Sequence, residues 1–215
     1  MMTSAPHDSA NPPADDAYLR ASPRLFENPV LDKLSRVHWS VPLWIYGPVI
    51  VVLAGLSLSN LGPWWSAAGL LLGYFIWTLT EYLGHRFLFH YEFPGRLGAR
   101  IHLLIHGIHH THPNDPLRLV MPALLSGPIM LIAFAVASLL FGLPLGYAVL
   151  TGFILGYISY DMVHYYVHHG RPKSRLGLML RRAHMLHHFR DPARGFGVSA
   201  PWWDYVFNTA YRPER

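Results

Sequence analysis

The sequence predicts an all-α integral membrane protein, with four transmembrane helices and a cytoplasmic, histidine-rich helical cap. Three observations predict it. Four apolar runs each approach the roughly 20 residues that a bilayer-crossing helix requires. Every Lys and Arg lies outside those runs. Ten of the 15 histidines fall in four tight clusters beside the same runs.

The runs are Val41 to Leu61, Trp64 to Leu83, Leu119 to Phe141 and Leu145 to Tyr166. Gly62 and Pro63 join the first two, and Gly142 to Pro144 join the last two, so each pair reads as a helical hairpin. Pro42, Pro48, Pro122 and Pro128 are expected to bend these helices, which membrane helices tolerate. A soluble helical core is the alternative, but both turns are too short and too apolar for solvent-exposed ends. Residues 1–22 are rich in Pro, Ala and Asp and lack the apolar stretch of a signal peptide. They read as a disordered tail, with His7 solvated. Residues 23–215 are expected to form one membrane-embedded domain.

Charge placement sets the expected orientation. Four of the 17 cations precede Val41, four lie between His85 and Leu119, and nine follow Tyr166. Neither hairpin turn is charged. The positive-inside rule then places both termini and the central loop in the cytoplasm, and all four histidine clusters converge on that face. A net charge of +5 could suit nucleic acid, but the cations flank apolar runs, so no nucleic-acid partner is expected. The chain has no cysteine, which excludes disulfides, iron–sulfur clusters and thiolate chemistry.

The clusters read GHRFLFH (His85, His90), HGIHH (His106, His109, His110), HYYVH (His164, His168) and HMLHH (His184, His187, His188). Neutral imidazole suits iron, zinc, copper and nickel. Spacings of three and four bring side chains to one helix face, so each HxxHH box is expected to aim its imidazoles at one point. One zinc takes about four ligands, and ten imidazoles therefore suggest a dinuclear site. His85 and His90 stand about 140° apart on an ideal helix, so the helix is expected to end or tighten there. His102 is a candidate supporting residue, one turn before His106. His112, before Pro113, reads as a loop residue, and His169 points about 100° from His168, outside the ligand set.

Three carboxylates are candidates for orienting the ligands. Glu81 lies one turn before His85 and could accept its N–H, fixing the tautomer. Asp161, three residues before His164, is a candidate orienting group or ligand. Asp204 is a candidate partner for a ligating imidazole in the last cluster. Asp115 and Arg118 are expected to cap or pair locally. Tyr160, Tyr165 and Tyr166 read as interfacial aromatics. Trp202, Trp203, Tyr205 and Phe207 read as structural residues at the interface, with a roof over the site as the alternative.

The stretches TEYLGHRFLFH, HLLIHGIHHTHPNDPLRLVMP, GYISYDMVHYYVHH, HMLHHF and GFGVSAPWWDYVF resemble the fatty acid hydroxylase superfamily, and most closely its fatty acid 2-hydroxylase branch. Histidine boxes alone point to the superfamily; RLVMP and the GFGVS…WDYVF ending point to the branch. The resemblance implies metal ligands at His85, His90, His106, His109, His110, His164, His168, His184, His187 and His188. It implies hydroxylation at carbon 2 of a long-chain acyl group, free or in a ceramide-like lipid, with O2 as co-substrate and two electrons. Eukaryotic members often carry a cytochrome b5 domain with an HPGG motif. The motif does not occur here, so the electron donor is expected to be separate, such as cytochrome b5 or ferredoxin with a reductase. Where the branch usually has two prolines after RLVM, Ala123 follows Pro122, an expected local packing change.

The chemistry agrees with the residues. Attack on an unactivated methylene requires a strong oxidant, which two iron ions with O2 can provide. Zinc has no redox chemistry, yet it can replace iron on purification because imidazole sites bind it well. A centre at the membrane face meets carbons near a lipid head group rather than the chain terminus. The alternatives are a carotenoid or sterol-type hydroxylase or desaturase, which uses the same boxes, and a metal transporter or zinc hydrolase. A transporter places ligands near the bilayer midplane, and a zinc hydrolase needs fewer ligands.

Overall fold

The computed structural model describes residues 15–211, all helical or irregular, with no strand among them. Among the described residues three helices are long and apolar enough to cross a membrane: Val41–Phe89, Ala123–Phe141 and Leu143–His169. The first is two helices in one. Its α-helical part, α3 (Val41–Gly84), is broken at Gly62, whose φ of 72° and ψ of 176° lie outside the helical region. That backbone favours glycine, and it reverses the chain. The hydroxyls of Ser57 and Ser66 are 2.8 Å apart, whereas nine residues of unbroken helix rise about 13.5 Å. Gly142, with φ 74°, turns the chain between α6 (Ala123–Phe141) and α7 (Leu143–His169). Both expected hairpins are present.

Two boundaries differ from expectation. The third apolar run becomes helical at Ala123 rather than Leu119; Leu119 and Val120 are buried in an irregular segment that follows the Asp115–Arg118 turn. The fourth continues to His169, so His164 and His168 are carried on an unbroken helix. Pro48 and Pro128 lie inside helices that run on through them, and Pro42 and Pro122 stand at helix starts.

The central helix is α7, which packs against the second arm of α3 and against α6. Its contact with α3 is backbone to backbone. A methyl group added at Gly152 would lie 1.9 Å from the Leu70 carbonyl oxygen, and one at Gly73 would lie 1.8 Å from that of Val149. Small residues permit such approaches between membrane helices. Around this seam Trp77, Phe153, Tyr157, Tyr160, Ile154 and Val198 form the core. Tyr160, expected at the interface, is buried there, because its ring packs beside Trp77. Apolar side chains such as Trp44, Trp64, Val51 and Leu139 face outward, as suits a surrounding of lipid.

Shorter elements gather at the end where the second arm of α3 and α7 finish. They include α4 (Gly95–His102), α5 (Ile108–Thr111), α8 (Arg175–Phe189) and α9 (Trp202–Val206). Phe75 and Trp203 rings meet, the Trp203 indole N–H donates to Thr78, and Phe207 stacks on Tyr82. These aromatics therefore dock α9 on the second arm and do not roof the histidines. At the other terminus lie α1 (Asp16–Leu19) and α2 (Pro29–Leu34). Residues 15–22 were expected within a disordered tail, but they are held: the Leu19 carbonyl accepts the Asn114 amide, and the Tyr18 carbonyl faces His112 Nδ1 at 2.7 Å. His7 lies outside the described residues.

Candidate metal centre

The ten clustered histidines separate into two groups of five. His85, His90, His106, His110 and His187 form one; His109, His164, His168, His184 and His188 form the other. In each group the potential ligand atoms all lie within 4.8 Å of one another. The groups adjoin, with the His110 and His188 rings stacked at 4.3 Å.

The partition corrects the expectation that each HxxHH box aims at one point. His106 and His110 enter one group while His109 enters the other; His184 and His188 share a group while His187 crosses over. Helix geometry explains this. Residues four apart are rotated by about 40°, whereas adjacent residues are rotated by about 100°. Paired i,i+4 imidazoles stay together, and the intervening residue reaches the neighbouring group.

The first group depends on a backbone departure that was expected only in part. The α-helix ends at Gly84, as expected, but the chain does not tighten. It widens into a π-helical turn over His85–Phe89, with the His90 amide donating to the His85 carbonyl at 3.2 Å. A second π-helical turn covers Leu103–Gly107 and carries His106. Wider turns reduce the rotation per residue, so a spacing of five brings His85 and His90 together. Such turns are rare and frequently mark functional sites.

The nitrogens are spaced as metal ligands are. In the first group, Nε2 of His85 is 3.1 Å from His106 and 3.2 Å from His90; His90–His187 and His106–His110 are 2.9 and 3.0 Å. In the second, His109–His164, His168–His184 and His184–His188 are 2.9, 2.9 and 3.0 Å. With metal–nitrogen bonds of about 2.1 Å, ligands at right angles stand about 3.0 Å apart and tetrahedral ligands about 3.4 Å. The short spacings and the five donors fit a coordination number above four.

Electrostatics agree. Burial, reinforced by neighbouring imidazoles, pushes His90 down to about 3 and His110 to about 2. Burial also lowers His187 to about 4, against an opposing pull from the Arg194 carbonyl. His106, His109, His184 and His188 are lowered well below their ordinary value for the same first reason. Neutral imidazole is the form that binds a metal. Two tautomers in the first group are fixed by carbonyls: Phe196 accepts from His85 Nδ1 at 2.6 Å, and Arg194 accepts from His187 Nδ1 at 2.7 Å. Each leaves Nε2 with its lone pair toward the group.

The candidate carboxylates work at one remove. Glu81 accepts from the Ser199 amide at 2.7 Å and from the Ser199 hydroxyl, not from His85. Asp204 accepts from the amides of Phe196 and Gly197 at 2.9 and 2.8 Å and from Thr209 Oγ1 at 2.7 Å, not from an imidazole. Both pin the loop whose Phe196 carbonyl orients His85. Sequence reasoning missed Ser199 and the two carbonyls, and only the GFGVS resemblance pointed near them. Asp161 joins neither group of five. It is fully buried and lines a cavity of about 370 Å³ together with Tyr160, His106, His109 and His164. The Tyr157 hydroxyl and the Met121 backbone amide approach its carboxyl as donors.

His102, His112 and His169 enter neither group. Asp115 and Arg118 pair as expected, at 3.3 Å, but they are buried and extend to Asp32, 3.8 Å from Arg118.

Fold and site together define a helical protein with a paired histidine centre suited to two metal ions. The fatty acid hydroxylase family model matches residues 70–209, and the chain belongs to that family. It is 39% identical to dihydroceramide fatty acyl 2-hydroxylase FAH1 of Arabidopsis thaliana, over 88% of this chain and 81% of that one. It is 35% identical to ceramide very long chain fatty acid hydroxylase SCS7 of Saccharomyces cerevisiae, covering 92% of this chain and 52% of that one. The solved structure of full-length scs7p, in which only the hydroxylase domain is visible, superposes with a TM-score of 0.84 at 33% identity, over 88% of this chain and 73% of that chain.

Proposed function

We propose that this protein adds a hydroxyl group at carbon 2 of a long-chain fatty acyl group, free or within a ceramide-like lipid. The observation that carries the reading is the cavity. Its walls are apolar residues such as Leu119, Val120, Met121 and Ile108, and its inner end is formed by His106 from one group and His109 and His164 from the other. An acyl chain fits such walls, and its reacting carbon would meet both groups. The relatives named for acyl 2-hydroxylation agree.

The overall reaction is a C–H bond plus O2, two electrons and two protons, giving C–OH and water. The five donors in each group would hold one iron ion each, and bound iron supplies the electron transfer to O2 that zinc lacks. The protein's own residues keep the ligands neutral by burial, fix their tautomers through Phe196 and Arg194, and exclude water with the apolar walls. Asp161 is the one acidic residue lining the cavity. Its carboxyl, beside the Tyr157 hydroxyl and the Met121 amide, keeps acceptor capacity to take a hydrogen bond from an amide N–H or hydroxyl of the lipid and to hold the acyl chain in register.

The remaining features belong to the same proposal. The α3 hairpin, α6 and α7 make four passes, with both termini and the histidine groups on the cytoplasmic side. A separate carrier, such as cytochrome b5 or ferredoxin with its reductase, brings the electrons. The test is mass spectrometry of lipids from cells with and without the protein, grown under labelled oxygen. One labelled atom at carbon 2 of an acyl chain is expected. A new double bond without label, or label in a carotenoid or sterol ring, would overturn the reading.

A further inference from the structure

The acyl cavity has a wall that lies outside the family match at residues 70–209. Leu25, Phe26, Leu31 and Leu34 line it from the N-terminal side. Of these, Leu31 and Leu34 are 46% and 48% exposed, so they stand at its mouth. Leu124 and Leu125, in the first turn of α6, line the facing lip and are also exposed. Because α6 is a candidate membrane span, and α2 ends seven residues before α3 begins, the mouth lies beside the ends of two candidate spans. The outer face of α2 is apolar there, with Val30 63% exposed beside Leu31 and Leu34. Exposed Arg24 and Lys33 flank it, as in helices that rest at a lipid surface.

Charges supplement the backbone in holding this wall, whose C-terminal side is anchored by the buried Val37, its amide donating to the Leu117 carbonyl at 2.7 Å. Neither α1 nor α2 packs extensively on another helix. Asp32 accepts from the Leu25 and Phe26 amides at 2.7 and 3.4 Å and pairs with Arg36 at 3.0 Å. Arg118 reaches toward Asp32 at 3.8 Å, donates to the Pro23 carbonyl at 2.7 Å and pairs with Asp115. Arg118 and Asp115 side chains are 3% and 1% exposed, so the fixed end of the latch is buried in the body. Segments with few buried apolar contacts open at low cost, whereas a buried charge cluster is weakened strongly by loss of one member.

Resting on the acyl-lipid reading of the cavity, we propose that α2 is a bilayer-seated shutter. Its Val30, Leu31 and Leu34 face contacts lipid, the Asp32–Arg118–Asp115 cluster latches it, and acyl lipid passes from the membrane beneath residues 25–35 to the histidine groups.

The absence of cysteine makes single labels clean. In the full metal-loaded chain, reconstituted in phosphatidylcholine vesicles, a bimane at Leu34→Cys should be quenched by acyl chains brominated near the head group. The quenching should be at least about 3-fold stronger than for a bimane at Asp16→Cys. A nitroxide at Glu27→Cys should gain mobility when Asp32→Asn is added and lose it again with Asp32→Glu, which keeps the charge. Equal quenching at the two sites would overturn the membrane seat. An unchanged nitroxide spectrum in a folded Asp32→Asn protein would overturn the latch. Neither readout depends on hydroxylation, so a protein that passes both and hydroxylates nothing would fault the assigned reaction and leave the shutter standing.

Discussion

The two histidine groups hold five imidazoles each but are built differently. The group of His109, His164, His168, His184 and His188 rests on regular helix: two i,i+4 pairs on α7 and α8, with one crossing residue. Four of its five members are buried, and a single carbonyl, that of Leu119, approaches one of them, His164. The group of His85, His90, His106, His110 and His187 draws on two π-helical turns, leaves His90 and His110 half-buried, and takes two carbonyl hydrogen bonds from residues 194 and 196. One group rests mainly on regular helix; the other also takes two orienting carbonyls from one loop. The loop-set group is therefore the one that changes remote from the ligands should reach.

The largest effect should come from removing a ligand. His109→Ala and His187→Ala take one donor from opposite groups, and each should abolish hydroxylation and lose about one metal ion per chain, read by elemental analysis. Full activity in either variant would break the account of a paired centre.

A smaller effect should separate the groups. Asp204→Asn and Glu81→Gln loosen the loop that orients His85 and touch nothing in the other group. Each should weaken metal binding at the loop-set group by about 10–100-fold, the usual range for outer-shell changes. Competitive chelation should show one ion leaving early and the other unchanged. Equal loss of both ions would mean that the loop does not act selectively. Ser199→Ala, which keeps the amide bond to Glu81 but removes the hydroxyl bond, should give a milder form of the same asymmetry.

The smallest effect concerns acid. The imidazoles of His90, His110 and His187 are lowered in the fold to about 3, 2 and 4, against an ordinary 6.5. Above about 6.5 both folded and unfolded chains hold them neutral. Below it the unfolded chain takes up protons that the folded one refuses, so the metal-free protein should lose stability as pH falls. Thermal melting of metal-free protein in detergent at pH 7.5 and 5.5 should show a lower midpoint at 5.5. A higher midpoint at 5.5 would contradict the burial that keeps both groups neutral.

Much of this was legible in the sequence, and the limits have physical causes. Apolar run lengths and the Gly62 and Gly142 turns gave both hairpins, because hydropathy and φ preference are local properties. The ten histidines were legible as boxes for the same reason. Their division was not, because His109 and His110 part company through a rotation that matters only when two neighbouring targets exist. At His85 the end of the α-helix was legible, but the widening into a π-helical turn was not. Spacing alone shows that an ideal helix fails there, not whether tertiary contacts widen or tighten it. Glu81 was placed near the ligands, but its partner Ser199 is 118 residues away, beyond any local pattern. Asp32 gave no signal at all, since one acid in a short amphipathic helix ordinarily faces solvent.

The central claim is that two groups of five imidazoles hold two redox metal ions for hydroxylation. Counting iron per chain in protein of known turnover tests it most directly, by titrating metal-free protein with ferrous ion while following 2-hydroxylated product. The account expects activity to rise to a plateau at two iron ions per chain, with zinc occupying the same two sites and giving none. Full turnover at one iron per chain, or turnover supported by zinc alone, would contradict it.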